Sequence, residues 1–459
     1  MDLDPVLIAR LQFAFTIIFH IIFPAFTIGL SAYIATLCVI WMRTGKEHYR
    51  LLARFWTKIF AVSFALGVVS GVVLSYQFGT NWSRFSTVVG SVIGPMIGYE
   101  VLVAFFLEAT FLGVMLFGWN RVPPWLHTLS AIAVAIGTAL SAFWILSANS
   151  WMQTPAGYEM RDGIAYPVDW LAIVFNPSFP YRLAHMVTAA YLTVSFVVLA
   201  VGARYVLAGR HLEHGRTMVH MAVGFAAIVA PLQLFIGDQH GLNTLEHQPL
   251  KIAAIEAHWD GNAPGELVLF AWPDEAAESN RFAVTIPHGA SLLLTHSWDG
   301  LFPGLKSVPA RDRPPVAPPF FAFRVMVGIG LLMILAGLTG VWRGRLFEAR
   351  WYLWPAQYAW WIGFVAVISG WIVTETGRQP WVAYGLLRTA EAVSPLAANT
   401  VATTLVLFVL VYGVVFTIGL YYINRLIEHG PDDPATETSP RWRAADAFLH
   451  GKRQSQGSR

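Results

Sequence analysis

Residues 11–42 read LQFAFTIIFHIIFPAFTIGLSAYIATLCVIWM and contain no Asp, Glu, Lys or Arg. A helix needs about 20 largely apolar residues to cross the hydrocarbon layer of a bilayer. Backbone polar groups in hydrocarbon must be paired within the segment, which favours a helix. The stretch is also longer than the apolar core of a signal peptide. It therefore predicts a retained transmembrane helix, and it contains one titratable side chain in its outer half, His20.

Further stretches of the same kind follow along the chain. Six of them lack charged residues: 59–83, 122–158, 183–203, 217–237, 351–374 and 392–424. The only charged residues in 85–120 are Glu100 and Glu108, and the only charged residue in 314–342 is Arg324. Together with the first stretch, these predict an all-α, polytopic membrane helix bundle with about nine transmembrane helices.

The composition supports a membrane protein and excludes several other classes. Charged residues make up 12% of the chain, about half of the ~25% typical of soluble domains. The formal net charge is only +3, so no strong field would attract nucleic acid, and none is expected as a partner. A single cysteine, Cys38, excludes an intrachain disulfide and a zinc site built from several cysteines.

The basic residues predict the orientation. With the N-terminus outside, eighteen Lys and Arg residues fall in the inner loops and the C-terminal tail, and eleven fall outside. Because basic loops stay in the cytoplasm, this favours an outer N-terminus and an inner C-terminus. The predicted organisation is helices one to six in 1–237, an extracytoplasmic loop in 238–319, helices seven to nine in 320–424 and a cytoplasmic tail in 425–459.

Ionisable residues inside the predicted spans are costly in lipid and indicate function. They are His20, Glu100, Glu108, His185, Arg324 and Glu375. Counted along the helices, all except Glu108 are predicted near the outer boundary, on five helices, and Met326 lies beside Arg324. Glu108 is predicted about 12 Å deeper than Glu100. Histidine and methionine are haem ligands, and arginines can pair with haem propionates.

The same residues bear on two other functions. A haem–copper oxidase needs a cluster of buried histidines, and only His20 and His185 lie well within spans. A proton-coupled transporter could use Glu100, Glu108 and Glu375, although no internal inverted repeat accompanies them. The transporter remains the alternative prediction.

Several short motifs point to one family. They are RLQFAFT at 10–16, QFGTNW at 77–82, AFFLE at 104–108, SAFWIL at 141–146, NSWMQ at 149–153, KIAAIE at 251–256, FAFRVM at 321–326 and WIVTETGRQPW at 371–381. With these motifs the sequence resembles subunit I of the cytochrome bd-type quinol:oxygen oxidases over nearly the whole chain. Its loop of about eighty residues resembles the short-loop branch, which includes cyanide-insensitive enzymes.

The resemblance implies a set of haem-binding residues. His185 and Met326 would ligate a low-spin haem b, with Arg324 beside it. His20 and Glu375 would ligate two high-spin haems, one haem b and one haem d or a further haem b, in an order that the resemblance leaves open. The resemblance implies no copper at these haems. Arg10, Trp371 and Arg378 complete the implied cofactor-binding residues, with Trp371 between haems.

The resemblance also implies the reaction. Lys251 and Glu256 would contact quinol, Glu100 would lie near the oxygen-reducing haem, and Glu108 would belong to the proton route. The enzyme would oxidise ubiquinol or menaquinol at the outer face and reduce dioxygen to water with cytoplasmic protons, which is electrogenic. It would lie in the bacterial inner membrane with a subunit II, and in some members with a small single-span subunit.

Overall fold

Long apolar helices form the body of the part of the chain that the structure describes. The computed structural model describes residues 4–342 and 349–431. Within these ranges nine helices are long and apolar enough to span a bilayer: α1 (Pro5–Thr44), α2 (Glu47–Thr80), α3 (Ser83–Phe117), α4 (Pro124–Gln153), α5 (Phe179–Leu207), α6 (Leu212–His247), α7 (Ala317–Trp342), α8 (Ala359–Thr376) and α9 (Ala398–His429). The predicted all-α membrane bundle is confirmed.

Helix α1 is longer at its beginning than the apolar stretch predicted. Asp4 accepts a hydrogen bond from the N–H of Val6 at 3.0 Å, and Pro5 occupies the first helical position, where its missing N–H costs nothing. The helix ends at Gly45, which is left-handed with a φ of 65°. His20 follows Pro5 by fifteen residues, so it lies roughly 22 Å from the start of the helix.

The packing of α1 against α8 sets the relative depth of the predicted ligands. Ile21 packs in one buried cluster with Val367 and Trp371 of α8. These two residues lie one to two turns from Glu375 at the end of that helix. The sequence predicted that the ionisable residues lie in a single layer near the outer boundary. In the structure His20 lies one to two helical turns deeper than Glu375, because α1 begins earlier than its apolar stretch.

A π-helical segment interrupts α3. The helix is α-helical over Ser83–Tyr99, π-helical over Glu100–Phe105 and α-helical again over Phe106–Phe117. A π turn contains nearly one residue more than an α turn, so one turn of each spans roughly eight residues. Glu100 and Glu108 are eight residues apart, and the π segment therefore places both on the same face of α3.

Helix α5 is the most buried span and lies against α1, α6 and α8. Close contacts at small residues hold it there. A Cβ atom on Gly202 would lie 2.8 Å from the carbonyl oxygen of Gly215 on α6. A Cβ atom on Gly363 of α8 would lie 2.6 Å from the Cα atom of Thr193. Because lipid gives little hydrophobic drive between helices, such close packing is a main source of association in membranes.

The shorter elements lie mainly at the end of the bundle where α1 begins, which we call the N-terminal face. Three antiparallel hairpins occur there: β1 (Tyr158–Arg161) with β2 (Ile164–Pro167), β3 (Leu267–Asp274) with β4 (Ser279–Ile286), and β5 (Trp381–Ala383) with β6 (Leu387–Arg388). Short helices cover Trp170–Val174, Pro249–Glu256, Gly289–Thr295 and Thr389–Ala392, and 3-10 turns cover Leu305–Ser307 and Ala310–Asp312. The opposite end carries Arg350–Ala356. We call Pro249–Glu256 the loop helix.

The predicted loop 238–319 is partly helical. Helix α6 continues through its first ten residues to His247, and α7 begins at Ala317. Residues 238–247 contain no proline, and Asn243 donates a hydrogen bond to the carbonyl of Pro177 at 3.2 Å, so the helix continues until Gln248 and Pro249. Helix α9 likewise ends at His429 rather than 424. Most of the predicted tail (432–459), together with Arg343 and Arg345, lies outside the described residues, and the orientation remains a prediction.

Candidate haem and quinol site

Each of the three predicted ligands on α1, α5 and α7 lies against a glycine of a neighbouring helix. A Cβ atom on the glycine would come within 3.1 Å of His20 at Gly71, 3.2 Å of His185 at Gly237 and 3.0 Å of Met326 at Gly370. Contacts this short are tighter than ordinary van der Waals packing. The lack of a side chain at these glycines is therefore what allows the three ligands to adopt their positions.

The hydrogen bonds of His20 indicate which ring nitrogen is free to act as a metal ligand. Its Nδ1 atom lies 2.9 Å from the Oγ atom of Ser70 on α2. The Ser70 hydroxyl donates to the backbone carbonyls of Leu66 and Gly67, at 3.1 and 3.0 Å. It therefore accepts from Nδ1–H, and Nε2 carries the lone pair. A partner on the second nitrogen that sets the tautomer in this way is characteristic of metal-ligating histidines.

His185 lies between α5 and α6. Its Nδ1 atom is buried and has no hydrogen-bond partner within the described residues. Its ring centroid is 5.6 Å from that of His240, and its backbone carbonyl accepts from the side chain of Gln233 at 3.0 Å. Buried polar atoms are nearly always paired, so the isolated nitrogen indicates a site for a further group. The sequence did not identify His240.

Glu375 is the centre of a buried polar network. Its Oε1 atom accepts hydrogen bonds from Asn149 at 3.0 Å and from Gln153 at 3.5 Å, both on α4. Its Oε2 atom pairs with Arg378. Asn149 in turn accepts a hydrogen bond from Arg182. The carboxylate thus lies among amides and guanidinium groups from three parts of the chain.

The two arginines of this network have unused donors. The Nε atom of Arg182 and the Nε and Nη1 atoms of Arg378 are buried without a partner in the part of the chain that the structure describes. Leaving buried charged donors unpaired is expensive, and haem propionates are anions that would satisfy them. The residues present therefore fit a haem. Arg182 borders the uncharged stretch 183–203, so its sequence position indicates only a helix boundary.

Trp371 connects the surroundings of two predicted ligands. It packs in one cluster with Ile21, the neighbour of His20, and in the same cluster with Met186, the neighbour of His185. An aromatic ring therefore lies between α1 and α5, and its position between haems stays a prediction. Arg10 is exposed on the surface. It lines a cavity with Arg313, Gln379 and other residues, next to the motif that contains Arg378.

Lys251 lies on the buried side of the loop helix. It is 5% exposed, and its Nζ atom donates a hydrogen bond to the Oε1 atom of Gln153. Without the resemblance, the sequence would predict an exposed lysine on a polar loop. Burial holds the pKa of Lys251 well below its usual range, and the nearby positive charges of Arg182 and Arg378 lower this pKa further. Gln153 contacts both Lys251 and Glu375, so it joins the loop helix to the network.

Glu256 ends the loop helix and pairs with α7. Its Oε2 atom lies 3.4 Å from Nη2 of Arg324. The same guanidinium donates to the carbonyls of Ile255 at 2.7 Å and Val268 at 2.9 Å. Burial raises the pKa of Glu256, and the Arg324 charge opposes that rise. Arg324, predicted beside a haem, therefore also fixes the loop helix to α7.

The two carboxylates of α3 face α4. The Oγ atom of Ser141 donates a hydrogen bond to the Oε1 atom of Glu100 at 2.7 Å. Glu108 is 6% exposed and lies on the same face of α3 because of the π segment. The structure thus joins Ser141 to Glu100 and places Glu108 on the same face of α3, while the sequence alone could give only the spacing of the two carboxylates.

Comparison with known proteins points to one family. The family model described as cytochrome bd terminal oxidase subunit I matches residues 8–431. Cytochrome bd-II ubiquinol oxidase subunit 1 of Escherichia coli (strain K12) is 34% identical, over 95% of this chain and 98% of its own. Cytochrome bd ubiquinol oxidase subunit 1 of Bacillus subtilis (strain 168) is 35% identical, over 91% of each chain.

Two further relatives agree with these matches. A putative cytochrome bd menaquinol oxidase subunit I of Bacillus subtilis (strain 168) is 30% identical, over 95% of this chain and 100% of its own. The solved structure of the bd oxidase from Geobacillus thermodenitrificans superposes with a TM-score of 0.87 at 32% identity, over 93% of this chain and 99% of that chain. These relatives support a terminal oxidase and not the alternative transporter.

Proposed function

The chain belongs to the cytochrome bd terminal oxidase subunit I family, and on that premise we propose that it is the haem-bearing subunit of a quinol:oxygen oxidoreductase. The enzyme lies in the bacterial inner membrane, oxidises quinol at the N-terminal face and reduces dioxygen to water. The observation that carries this proposal is that His20, His185 and Met326 each lie against a glycine of a neighbouring helix, while Glu375 pairs with Arg378, which has buried donors without a partner in the described residues.

Different side chains hold the different haems. His185 and Met326 hold a low-spin haem b, and His20 and Glu375 hold two high-spin haems, of which one is haem b and the other haem d or a further haem b. Haem iron supplies the one-electron steps that connect a two-electron donor to dioxygen. Arg182 and Arg378 supply donors for propionates, and Trp371 fills the space between the helices that carry His20 and His185.

The loop helix provides the groups for quinol oxidation. A quinol that loses two electrons must also lose two hydroxyl protons, so its site needs acceptors with pKa values near the working pH. Burial raises the pKa of Glu256 and lowers that of Lys251, which moves both toward that range. Glu256 accepts the first proton while Arg324 stabilises its charged form. Because both side chains are buried, the quinol headgroup reaches them through a displacement of the loop.

The protons that are consumed in oxygen reduction reach their site along α3 and α4. Glu108 and Glu100 share a face of α3, and Ser141 holds the Glu100 carboxylate at 2.7 Å. A carboxylate that ionises can pass a proton between bound waters across a low-dielectric bundle. With the N-terminus outside, these protons come from the cytoplasm while quinol protons leave outside, so turnover separates charge.

The partners of the chain follow from the family. A second subunit completes the oxidase, and a small single-span subunit is part of the proposal. The relatives are named for both ubiquinol and menaquinol, so both quinols remain candidate substrates.

A spectrum tests the proposal most directly. The purified complex should show a reduced-minus-oxidised spectrum of three haems, and pyridine extraction should separate haem b from a chlorin. Quinol-dependent oxygen consumption should accompany it. A complex that assembles without haem would exclude the proposed oxidase.

A further inference from the structure

The hairpin formed by β3 and β4 exposes a large apolar surface. Its outward side chains, which we call the hairpin face, are Leu269, Phe270, Trp272, Phe282, Val284 and Ile286. Phe270 is 52% exposed, Trp272 60%, Val284 56% and Phe282 83%. Phe270 pairs with Val284 in the strand register, so the two lie side by side. Contiguous apolar surface of this kind usually marks an interaction site.

The opposite side of the hairpin is fixed to the bundle. Val268 and Ala271 are buried in a cluster with Trp259 and with Phe320 of α7. Asn280 accepts a hydrogen bond from the indole of Trp259 at 2.9 Å. Strand β3 is therefore packed against the bundle through one side, and its other side carries apolar residues of the hairpin face.

The backbone at Phe282 directs that ring outward. Its φ is +52°, a left-handed conformation that is uncommon for a bulky residue. The register of β3 shifts between Phe270 and Trp272, opposite this position. A strained residue is kept only where the surrounding structure imposes it, and here the result is an almost fully exposed phenylalanine.

The hairpin face is continuous with the lipid-facing side of α7. The ring of Phe321 lies 6.4 Å from Phe270 and 5.7 Å from Trp272. Phe321 is in the second turn of α7, and one turn further on is the exposed Val325, followed by the exposed Leu332. The hairpin face therefore lies at the level where this apolar helix enters the bilayer.

Charged groups border this surface at the turn of the hairpin, and Arg281 lies opposite Trp272 in the strand register. Asp274, Glu275 and Glu278 lie at the turn of the hairpin, where Arg281 pairs with Asp274 and Arg313 pairs with Glu278 at 2.6 Å. Tryptophan and phenylalanine beside aliphatic residues are typical of segments at the headgroup level of a membrane. We propose that the hairpin face lies in the interfacial layer of the bilayer beside α7. It thereby holds the loop helix, joined to β3 through Arg324, next to the lipid.

Quenching experiments on the intact oxidase in phosphatidylcholine nanodiscs test this proposal. Cys38 is the only cysteine of the chain and is buried, so Phe282→Cys adds one accessible thiol for an environment-sensitive fluorophore. Ala277→Cys, at the turn of the same hairpin, is the aqueous control, and Leu332→Cys on α7 is the lipid control. The unsubstituted complex gives the background from other subunits, and unchanged haem spectra show that each variant is assembled.

The expected result is strong quenching at position 282 by lipids spin-labelled near the headgroup and at least several-fold weaker quenching by aqueous iodide than at position 277. Spin labels deep in the acyl chain should quench position 332 more than position 282. Two results overturn the proposal. Quenching at 282 by iodide as strong as at 277 would place the face in water, and weak quenching by both reagents would place it against another protein.

Discussion

The Nη2 atom of Arg324 lies 3.4 Å from the Oε2 atom of Glu256, so the beginning of α7 and the end of the loop helix share one ion pair. The two residues are 68 positions apart. The guanidinium of Arg324 keeps its positive charge at working pH. The charge state of Glu256, the proposed proton acceptor, therefore depends on a residue of a membrane helix.

The ion pair predicts a shift in the pH profile of quinol oxidation. A carboxylate accepts a proton only above its pKa, so activity falls on the acidic side of that value. Burial raises the pKa of Glu256 and Arg324 opposes the rise. Arg324→Gln should raise this pKa further and move the acidic limb of kcat/KM to higher pH, by on the order of one unit. Arg313→Gln, whose arginine pairs with Glu278 in the loop, is the control. An unmoved limb in Arg324→Gln would argue against Glu256 as the titrating base.

Removing the carboxylate should separate the two half-reactions. Glu256→Gln keeps the shape of the side chain but accepts no proton, and we expect quinol oxidation to fall by roughly 100-fold or more. Oxygen reduction driven by an artificial electron donor to the haems should persist. Equal loss of both activities would instead assign Glu256 to folding or assembly.

The low-spin site is tested at Met326. Met326→Leu keeps the volume but removes the thioether ligand, so the low-spin haem should become high-spin or change strongly in reduction potential. Met333 is a buried methionine of the same helix, and Met333→Leu should leave the spectrum unchanged. If Met326→Leu also leaves the low-spin bands intact, the thioether is only a packing group.

The close contact between Gly71 and His20 predicts the effect of adding a methyl group at this glycine. A methyl group on Gly71 would lie 3.1 Å from Cε1 of His20, so Gly71→Ala should displace the ring and lower the content of one high-spin haem. Gly79 of the same helix has no atom of the described residues within 4 Å of its Cβ position. Gly79→Ala is therefore the matched control, and equal haem loss in both variants would point to helix instability instead.

The proton route is tested at Glu108. Glu108→Gln preserves hydrogen bonding but relays no proton by ionising, so the haems should still be reduced by quinol while oxygen turnover slows by at least tenfold. The control is Ser130→Ala on α4, since within the described residues its hydroxyl donates only to the carbonyl of Leu126 of its own helix, at 2.8 Å. Near-normal turnover of Glu108→Gln with intact voltage generation in proteoliposomes would rule out an obligatory relay.

The sequence by itself determined the nine spans and the candidate ligands. Long uncharged stretches have only one favourable arrangement in a bilayer, because every backbone polar group must be paired within its own helix. The cost of an ionisable group in lipid likewise made His20, His185, Glu108 and Glu375 conspicuous without any knowledge of their neighbours. Such inferences need only local chemistry and the membrane as solvent.

The tertiary structure decided how these residues are used. Lys251 and Glu256 belong to a predicted loop, and they are buried because the loop helix packs against the bundle, where they contact Gln153 and Arg324. The glycines beside the ligands are recognisable only once neighbouring helices are packed. The π segment that aligns Glu100 with Glu108 has no periodic signature in its residues. All three depend on contacts between distant parts of the chain, and burial, with the pKa changes that it causes, exists only after those parts have met.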